Sequence, residues 1–309
     1  MNVLGALPGA IAQGLIWGIM AIGVYLTYRI LDFADLTVDG SLCTGGAVCV
    51  MLVINGCNIV VAMLAALAAG MLTGLVTGIF HTFMGIPAIL AGILTQLSLY
   101  SINLKIMGKA NQAFGVYDSN GRLVSMYTIK GVPFYQNTIF IVAVFVVVIV
   151  AILYWFFGTE KGCSIRATGS NINMSRAQGI NTEVNKVLTL MLSNGLVALS
   201  GAFLAQYQGF AEVNMGRGAI VIGLAAVIIG EAVFSRISSN FAVSMLSVVA
   251  GAIIYWIVYQ VVVFYGMDAD LLKMLSAIVV AFFLAIPYWK SKIAPKRVKV
   301  NKAGGAENA

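Results

Sequence analysis

The chain has 309 residues, of which 61% are hydrophobic and only 9% charged, and it carries a formal net charge of +7. A soluble domain has roughly 25% charged residues, so this composition excludes an ordinary aqueous fold. The excess of cations comes without a folded basic domain or interleaved aromatics, which argues against a nucleic-acid partner.

A bilayer core of about 30 Å is crossed by about 20 apolar helical residues. Nine runs meet that description in chain order: 7–28, 38–54, 58–80, 86–107, 137–157, 185–207, 218–234, 241–265 and 268–289. They are continuously apolar and do not alternate, so they predict helices and not barrel strands. The second run contains Gly45 and Gly46, and the seventh Gly218, Gly223 and Gly230. Both are short and read as broken or re-entrant helices, which leaves the span count at about nine, with eight to ten compatible. The expected fold is an all-α integral membrane protein, a polytopic helical bundle with one transmembrane domain over 1–289 and a basic cytosolic tail at 290–309. The opening MNVLGALPGA has no positive n-region and reads as a retained first span.

With the N-terminus outside, nine spans place twelve of the 18 Lys and Arg residues inside, including the tail KSKIAPKRVKVNK, and six outside. That is the direction of the positive-inside rule, and the tail also suits anionic lipid. Cys43, Cys49, Cys57 and Cys163 show no C-x-x-C spacing and read as small buried hydrophobes, not as disulfides or metal ligands. The single His81, at the inner end of the third run, reads as an interfacial residue.

Two segments outside the membrane carry signals of their own. In the external loop 108–136, Ser119-Asn120-Gly121 lies between AFGVYD and RLVSMYTI and predicts a small β-hairpin. It suits either an external partner or a cap over the bundle. In the cytosolic loop 158–184, Ser170 or Asn171 can cap a short helix of roughly two turns that Gly179, after Gln178, would end in a left-handed conformation. Asn181 or Thr182 then caps the next span, with Glu183 in its first turn. A short capped helix bearing Arg176 between Ser175 and Ala177 suits a groove on another protein, and an amphipathic connector would look the same.

A charge at the bilayer centre costs on the order of 3 kcal/mol, so polar residues at membrane depth tend to face a cavity or a partner. The pathway candidates are Asp39, Ser41 and Thr44 in the second run, Gln96 in the fourth, Asn194 in the sixth and Glu231 in the seventh, with Asp35 just before Asp39. The acids equally fit a cytosolic cluster of Arg29 with Asp32 and Asp35 and a pair between Glu231 and Arg236. Gln96 and Asn194 equally fit interhelical hydrogen bonding. The glycine-rich segments 35–48 and 214–231, half a chain apart, match the pattern of paired broken helices along a transport path.

The segment IRATGSNINMSRAQGIN, followed by SNGLVALSGAFLAQYQG and MGRGAIVIGLAAVIIGE, resembles the permease family of branched-chain amino acid and ribose importers. FADLTVDGSLCTGGAV is similar to that family's glycine-rich second span, and the likeness runs from residue 12 to 289. Order and spacing are closest to a subgroup associated with tyrosine or tryptophan. The resemblance implies an ATP-binding-cassette importer in a bacterial plasma membrane, with a second permease copy, a cytosolic ATPase dimer and an external substrate-binding protein or lipoprotein. It makes Ser170, Asn171, Asn173, Met174, Arg176, Ala177, Gln178, Gly179 and Ile180 the ATPase-coupling residues. ATP and Mg²⁺ would bind the partner, because this chain has no G-x-x-x-x-G-K-[ST] loop and shows no assembled catalytic group. An ion-coupled secondary transporter using Asp39 or Glu231 is the competing expectation, and a sugar or nucleoside permease is another.

Overall fold

The computed structural model describes residues 3–113, 123–126, 136–234 and 240–264, with isolated positions between 274 and 285. The chain runs through α1 (Val3–Tyr25), a π-helical turn (Leu26–Ile30), α2 (Val38–Ile54), α3 (Ile59–Thr82), α4 (Ala88–Met107) and β1 (Asn111–Ala113). It continues through α5 (Thr138–Gly158), α6 (Glu160–Ser170), α7 (Ile172–Ala177), α8 (Thr182–Gln208), β2 (Phe210–Glu212), α9 (Ala219–Phe234) and α10 (Phe241–Phe264).

Among the described residues six helices are long and apolar enough to cross a membrane, and α2 and α9 are shorter apolar helices of 17 and 16 residues. At 1.5 Å per residue these two reach about 25 Å, short of a hydrocarbon core of about 30 Å. The second and seventh runs were expected to be broken or re-entrant, and they are short but unbroken: α2 runs continuously through Gly45 and Gly46, and α9 through Gly223 and Gly230. The ninth predicted run, 268–289, lies largely outside the described residues, so six long and two short helices stand where nine spans were expected.

Burial sorts the helices into centre and periphery. The α1 span and α8 have 83% and 72% of their apolar windows buried, against 28% for α4 and α5. The outer helices expose large apolar side chains such as Leu64, Leu97, Val147 and Trp155, a surface that suits lipid and not water. The centre is held at close range by small residues. A Cβ on Gly45 of α2 would overlap the backbone carbonyl of Ala198 in α8, and one on Gly201 of α8 would overlap the carbonyl of Leu42. The two helices thus approach backbone to backbone, as small residues allow in bundles where water supplies no drive between helices.

Helix ends follow local chemistry. Asn58 and Asn137 accept hydrogen bonds from the second residues of α3 and α5 through their side chains, at 2.9 and 3.0 Å. Gly108 and Gly209 end α4 and α8 at φ of 67° and 85°.

The small sheet differs from the expected external hairpin. β1 pairs antiparallel with β2, Asn111 opposite Glu212 and Ala113 opposite Phe210, so its partner is the segment after α8 and not the neighbouring half of a local hairpin. The Ser119-Asn120-Gly121 turn lies outside the described residues. Residues 123–126 are not a strand, and the amide of Leu123 donates to Oε1 of Gln206, at 3.2 Å. The cysteines divide: Cys43 and Cys49 are buried as expected, whereas Cys57 and Cys163 are exposed because they fall in a turn and on the outer side of α6.

Candidate functional site

Three linked regions hold the residues singled out in the sequence. The first is a buried polar network where α2, α3, α4 and α8 meet the 31–37 connection. Asp35, 2% exposed, accepts from the amide of Thr37 at 2.9 Å and from Nδ2 of Asn194 at 2.7 Å. Oδ1 of Asn194 accepts from Ser41 at 2.6 Å, and Ser41 is hydrogen-bonded to Thr73 at 2.7 Å. On the other side Thr37 is bonded to Thr77 at 2.7 Å, Thr77 donates to Thr95 at 2.9 Å, and Thr95 donates to the carbonyl of Ala91. Satisfied polar chains of this kind fix helix register where an unpaired group would be costly.

The network revises the reading of the acids. Arg29 pairs not with Asp32 or Asp35 but with Glu231 of α9, Nε to Oε1 at 2.9 Å. Glu231 therefore ties α9 to the π-helical turn. Arg236, the other suggested partner, lies outside the described residues. Asn194 and Ser41 are interior links between helices. Thr44 donates to the carbonyl of Gly40 at 3.0 Å and is likewise buried.

The second region is a cavity of about 390 Å³ between α2, α4 and the segment joining β2 to α9. Asp39 and Gln96, two of the pathway candidates, line it. The carboxylate of Asp39 accepts from the amides of Gly218 at 2.9 Å and Ile220 at 3.0 Å, so it caps the start of α9. A carboxylate suits that position because the first amides of a helix lack internal partners and carry a partial positive charge. The two glycine-rich segments flagged as a pair thus meet through Asp39, and a Cβ on Gly216 would overlap the Asp39 carbonyl. Tyr100, Asn103, Asn214 and Arg217 also line the cavity, and none of them was singled out in the sequence. A lone Asn inside the apolar run of α4 was the available signal for Asn103.

The third region is the α6–α7 unit. It contains two helices where one was expected. Thr159 caps α6, accepting from the amide of Gly162, and Asn171 caps α7, accepting from the amide of Met174 at 3.0 Å. Ser170 ends α6 and caps nothing. Gly179 is left-handed at φ +77°, and Asn181 caps α8 through the amide of Val184 at 3.1 Å. Ser170, Asn171, Asn173, Met174, Ala177, Gln178 and Gly179 are exposed, Ile180 is half-buried and Ser175 is buried. Arg176 is exposed but tied to its own chain, Nε donating to Thr182 at 3.0 Å with Glu183 at 3.9 Å.

The unit is braced against the bundle. Nδ2 of Asn185 in α8 donates to Ser164 and Thr168 of α6 at 2.8 and 2.9 Å. A Cβ on Gly169 would overlap the carbonyl of Ile30, so α6 abuts the π-helical turn that carries Arg29 and leads into the Asp35 network. His81 is 2.9 Å from the Ile86 carbonyl through Nδ1 and accepts from Lys186 at 3.1 Å through Nε2, linking the ends of α3 and α8 beside this unit.

Membrane-length helices around a glycine-packed centre, with two shorter apolar helices, α2 and α9, joined through Asp39 beside a cavity, define a polytopic helical membrane protein. The sequence pattern of the family described as "Branched-chain amino acid transport system / permease component" matches residues 7–293. The chain belongs to that family and is a transport subunit, a permease of the ATP-binding-cassette importer type, which implies association with an ATPase and a substrate-binding protein. It is 38% identical to the tyrosine transport system permease protein of Clostridioides difficile (strain R20291) over 91% of each chain. It is 29% identical to the ribose import permease protein RbsC of Escherichia coli (strain K12) over 69% of this chain and 64% of that one. In fold it is similar to the structure described as "PsaBC from Streptococcus pneumoniae in complex with Fab", with a TM-score of 0.50 and 18% identity over 96% of this chain and 93% of that one.

Proposed function

We propose that this permease carries tyrosine or a closely similar aromatic amino acid into the cell. The observation that carries the reading is the 38% identity, over 91% of both chains, to a tyrosine transport system permease. Sugar permeases are related at lower identity over less of the chain, which makes a sugar the alternative cargo.

In this reading the N-terminus is outside and the C-terminus cytosolic, two copies of the chain pair in the plasma membrane, and the ATPase, with its ATP and Mg²⁺, engages the exposed face of α7. The exposure of Asn173 and Met174 on the capped helix and of Gln178 at its end supports that assignment. Movement of α6–α7 would reach the 31–37 connection through the Gly169–Ile30 contact, and α9 through Arg29 and Glu231. The ATPase cycle would in this way shift the population of outward- and inward-facing states. Asp39 and Gln96, at the cavity between α2, α4 and the β2–α9 segment, belong to the path.

The test is uptake of labelled tyrosine by cells or proteoliposomes containing the permease with its ATPase and binding protein. The expected result is ATP-dependent accumulation, inhibited by excess unlabelled tyrosine and tryptophan and unaffected by ribose. Inhibition by ribose alone would replace the amino acid with a sugar, and accumulation driven by an ion gradient without ATP would overturn the importer mechanism.

A further inference from the structure

We infer that the cavity between α2, α4 and the β2–α9 segment is an amino-acid head-group site, in which Asn103 and Asn214 receive the ammonium and Arg217 the carboxylate. The inference rests on the amino-acid reading above and deepens it, because neither Asn nor Arg217 belongs to the pathway residues read from the sequence.

Two buried carbonyl oxygens carry the argument. Asn103 is 1% exposed, and its Oδ1 has no hydrogen-bond partner in the protein, while its Nδ2 lies 3.5 Å from the carbonyl of Gly40. Oδ1 of Asn214, across the cavity's wall on the β2–α9 segment, is also buried without a partner. A buried acceptor left unmade costs more than a typical hydrogen bond gains, so native structures rarely keep one without a purpose. Here two such residues, Asn103 and Asn214, line one cavity. The orientation of Asn103 follows from its neighbours: turning the amide over would set its oxygen against the Gly40 carbonyl, so the free atom is the acceptor.

Acceptors without donors call for a ligand that brings N–H groups, and an ammonium brings three. The carboxylate of Asp39, on the same wall, adds negative charge to the site. Arg217 supplies the complementary group. It is exposed and makes no ion pair among the described residues, so its guanidinium is available to a carboxylate. Leu97 and Tyr100 give the cavity an apolar, aromatic side for the rest of the molecule. Its volume of about 390 Å³ falls within the range of roughly 300–1,000 Å³ usual for small-molecule sites.

The test uses the assembled permease–ATPase complex in lipid nanodiscs, with Cys57→Ser and Cys163→Ser removing the exposed thiols and Leu97→Cys placing a reporter on the cavity wall. Tyrosine should slow modification of the reporter by a small thiol reagent. Tyramine, which keeps the ammonium, should also slow it, whereas 3-(4-hydroxyphenyl)propionate should not. Asn103→Leu or Asn214→Leu should raise the tyrosine concentration needed for half-protection roughly ten- to hundred-fold, the effect of losing one hydrogen bond to a charged group. Asn103→Asp, which keeps size and acceptor, should retain protection and so separates loss of the acceptor from loss of the fold. Arg217→Ala should weaken protection by tyrosine and leave that by tyramine unchanged. Equal protection by the propionate, or protection unaffected by both leucine variants, would overturn the head-group assignment. Tyrosine uptake intact beside such a result would sink this inference alone, and absence of tyrosine uptake by the unaltered complex would sink the amino-acid reading on which it rests.

Discussion

Replacing Asn194 with leucine tests whether the buried network holds the centre of the bundle together. Asn194 donates to Asp35 at 2.7 Å and to the Leu190 carbonyl at 3.0 Å, and accepts from Ser41 at 2.6 Å. The substitution leaves one oxygen of a buried carboxyl group without a donor, which costs roughly 1.5–3 kcal/mol for a hydrogen bond to a charged group. Ser41 keeps Thr73 as a partner, so its loss is smaller, below about 1 kcal/mol. Membrane bundles discount such bonds because the loosened state also finds partners. The net expectation is therefore about 2 kcal/mol. A double-mutant cycle with Asp35→Leu, read by reversible unfolding in detergent or by steric trapping in bicelles, should show the two changes costing less together than their sum, with a coupling of about 1 kcal/mol or more. A strictly additive cycle, or an Asn194→Leu chain within about 0.5 kcal/mol of the unaltered protein, would refute the claim that the Asp35–Asn194 contact is a structural link.

Three further outcomes follow from the geometry. Gly179→Val should still insert but lose ATPase association in co-purification, because φ at +77° is costly for a β-branched residue, whereas Gly179→Asn should retain it; equal recovery with valine would detach α7 from docking. Gly45→Leu should abolish folded protein on size-exclusion chromatography, since any Cβ there meets the Ala198 backbone, whereas Gly158→Ala, with open space around it, should be neutral; a monodisperse Gly45→Leu chain would contradict the α2–α8 packing. The exposed thiols give orientation directly: an impermeant maleimide applied to intact cells should label Cys57 in a Cys163→Ser chain and leave Cys163 unlabelled in a Cys57→Ser chain, and the reverse pattern would invert the topology.

The features legible in the sequence are those whose physics is local. Hydropathy over about 20 residues marks a membrane helix wherever it sits, and the long described helices fall where the apolar runs do. Asn171, Gly179 and Asn181 could be read as helix punctuation because a cap is satisfied by amides two or three residues away and a left-handed stop by its own backbone. The shortness of α2 and α9 was visible in the length of their apolar runs, whereas the glycines within them do not break either helix. What only tertiary structure decided depends on which distant elements become neighbours. Asn111 finds its strand partner at Glu212, Arg29 finds Glu231 in place of the nearer acids, and Asp39 closes on the first turn of α9. Asn103 and Asn214 carry no shared signal along the chain and become one site only when α4 is packed beside the β2–α9 segment. Hydrophobicity sums over a window and survives linear reading, whereas a hydrogen bond or ion pair needs two groups within about 3–4 Å, a condition that packing alone fulfils.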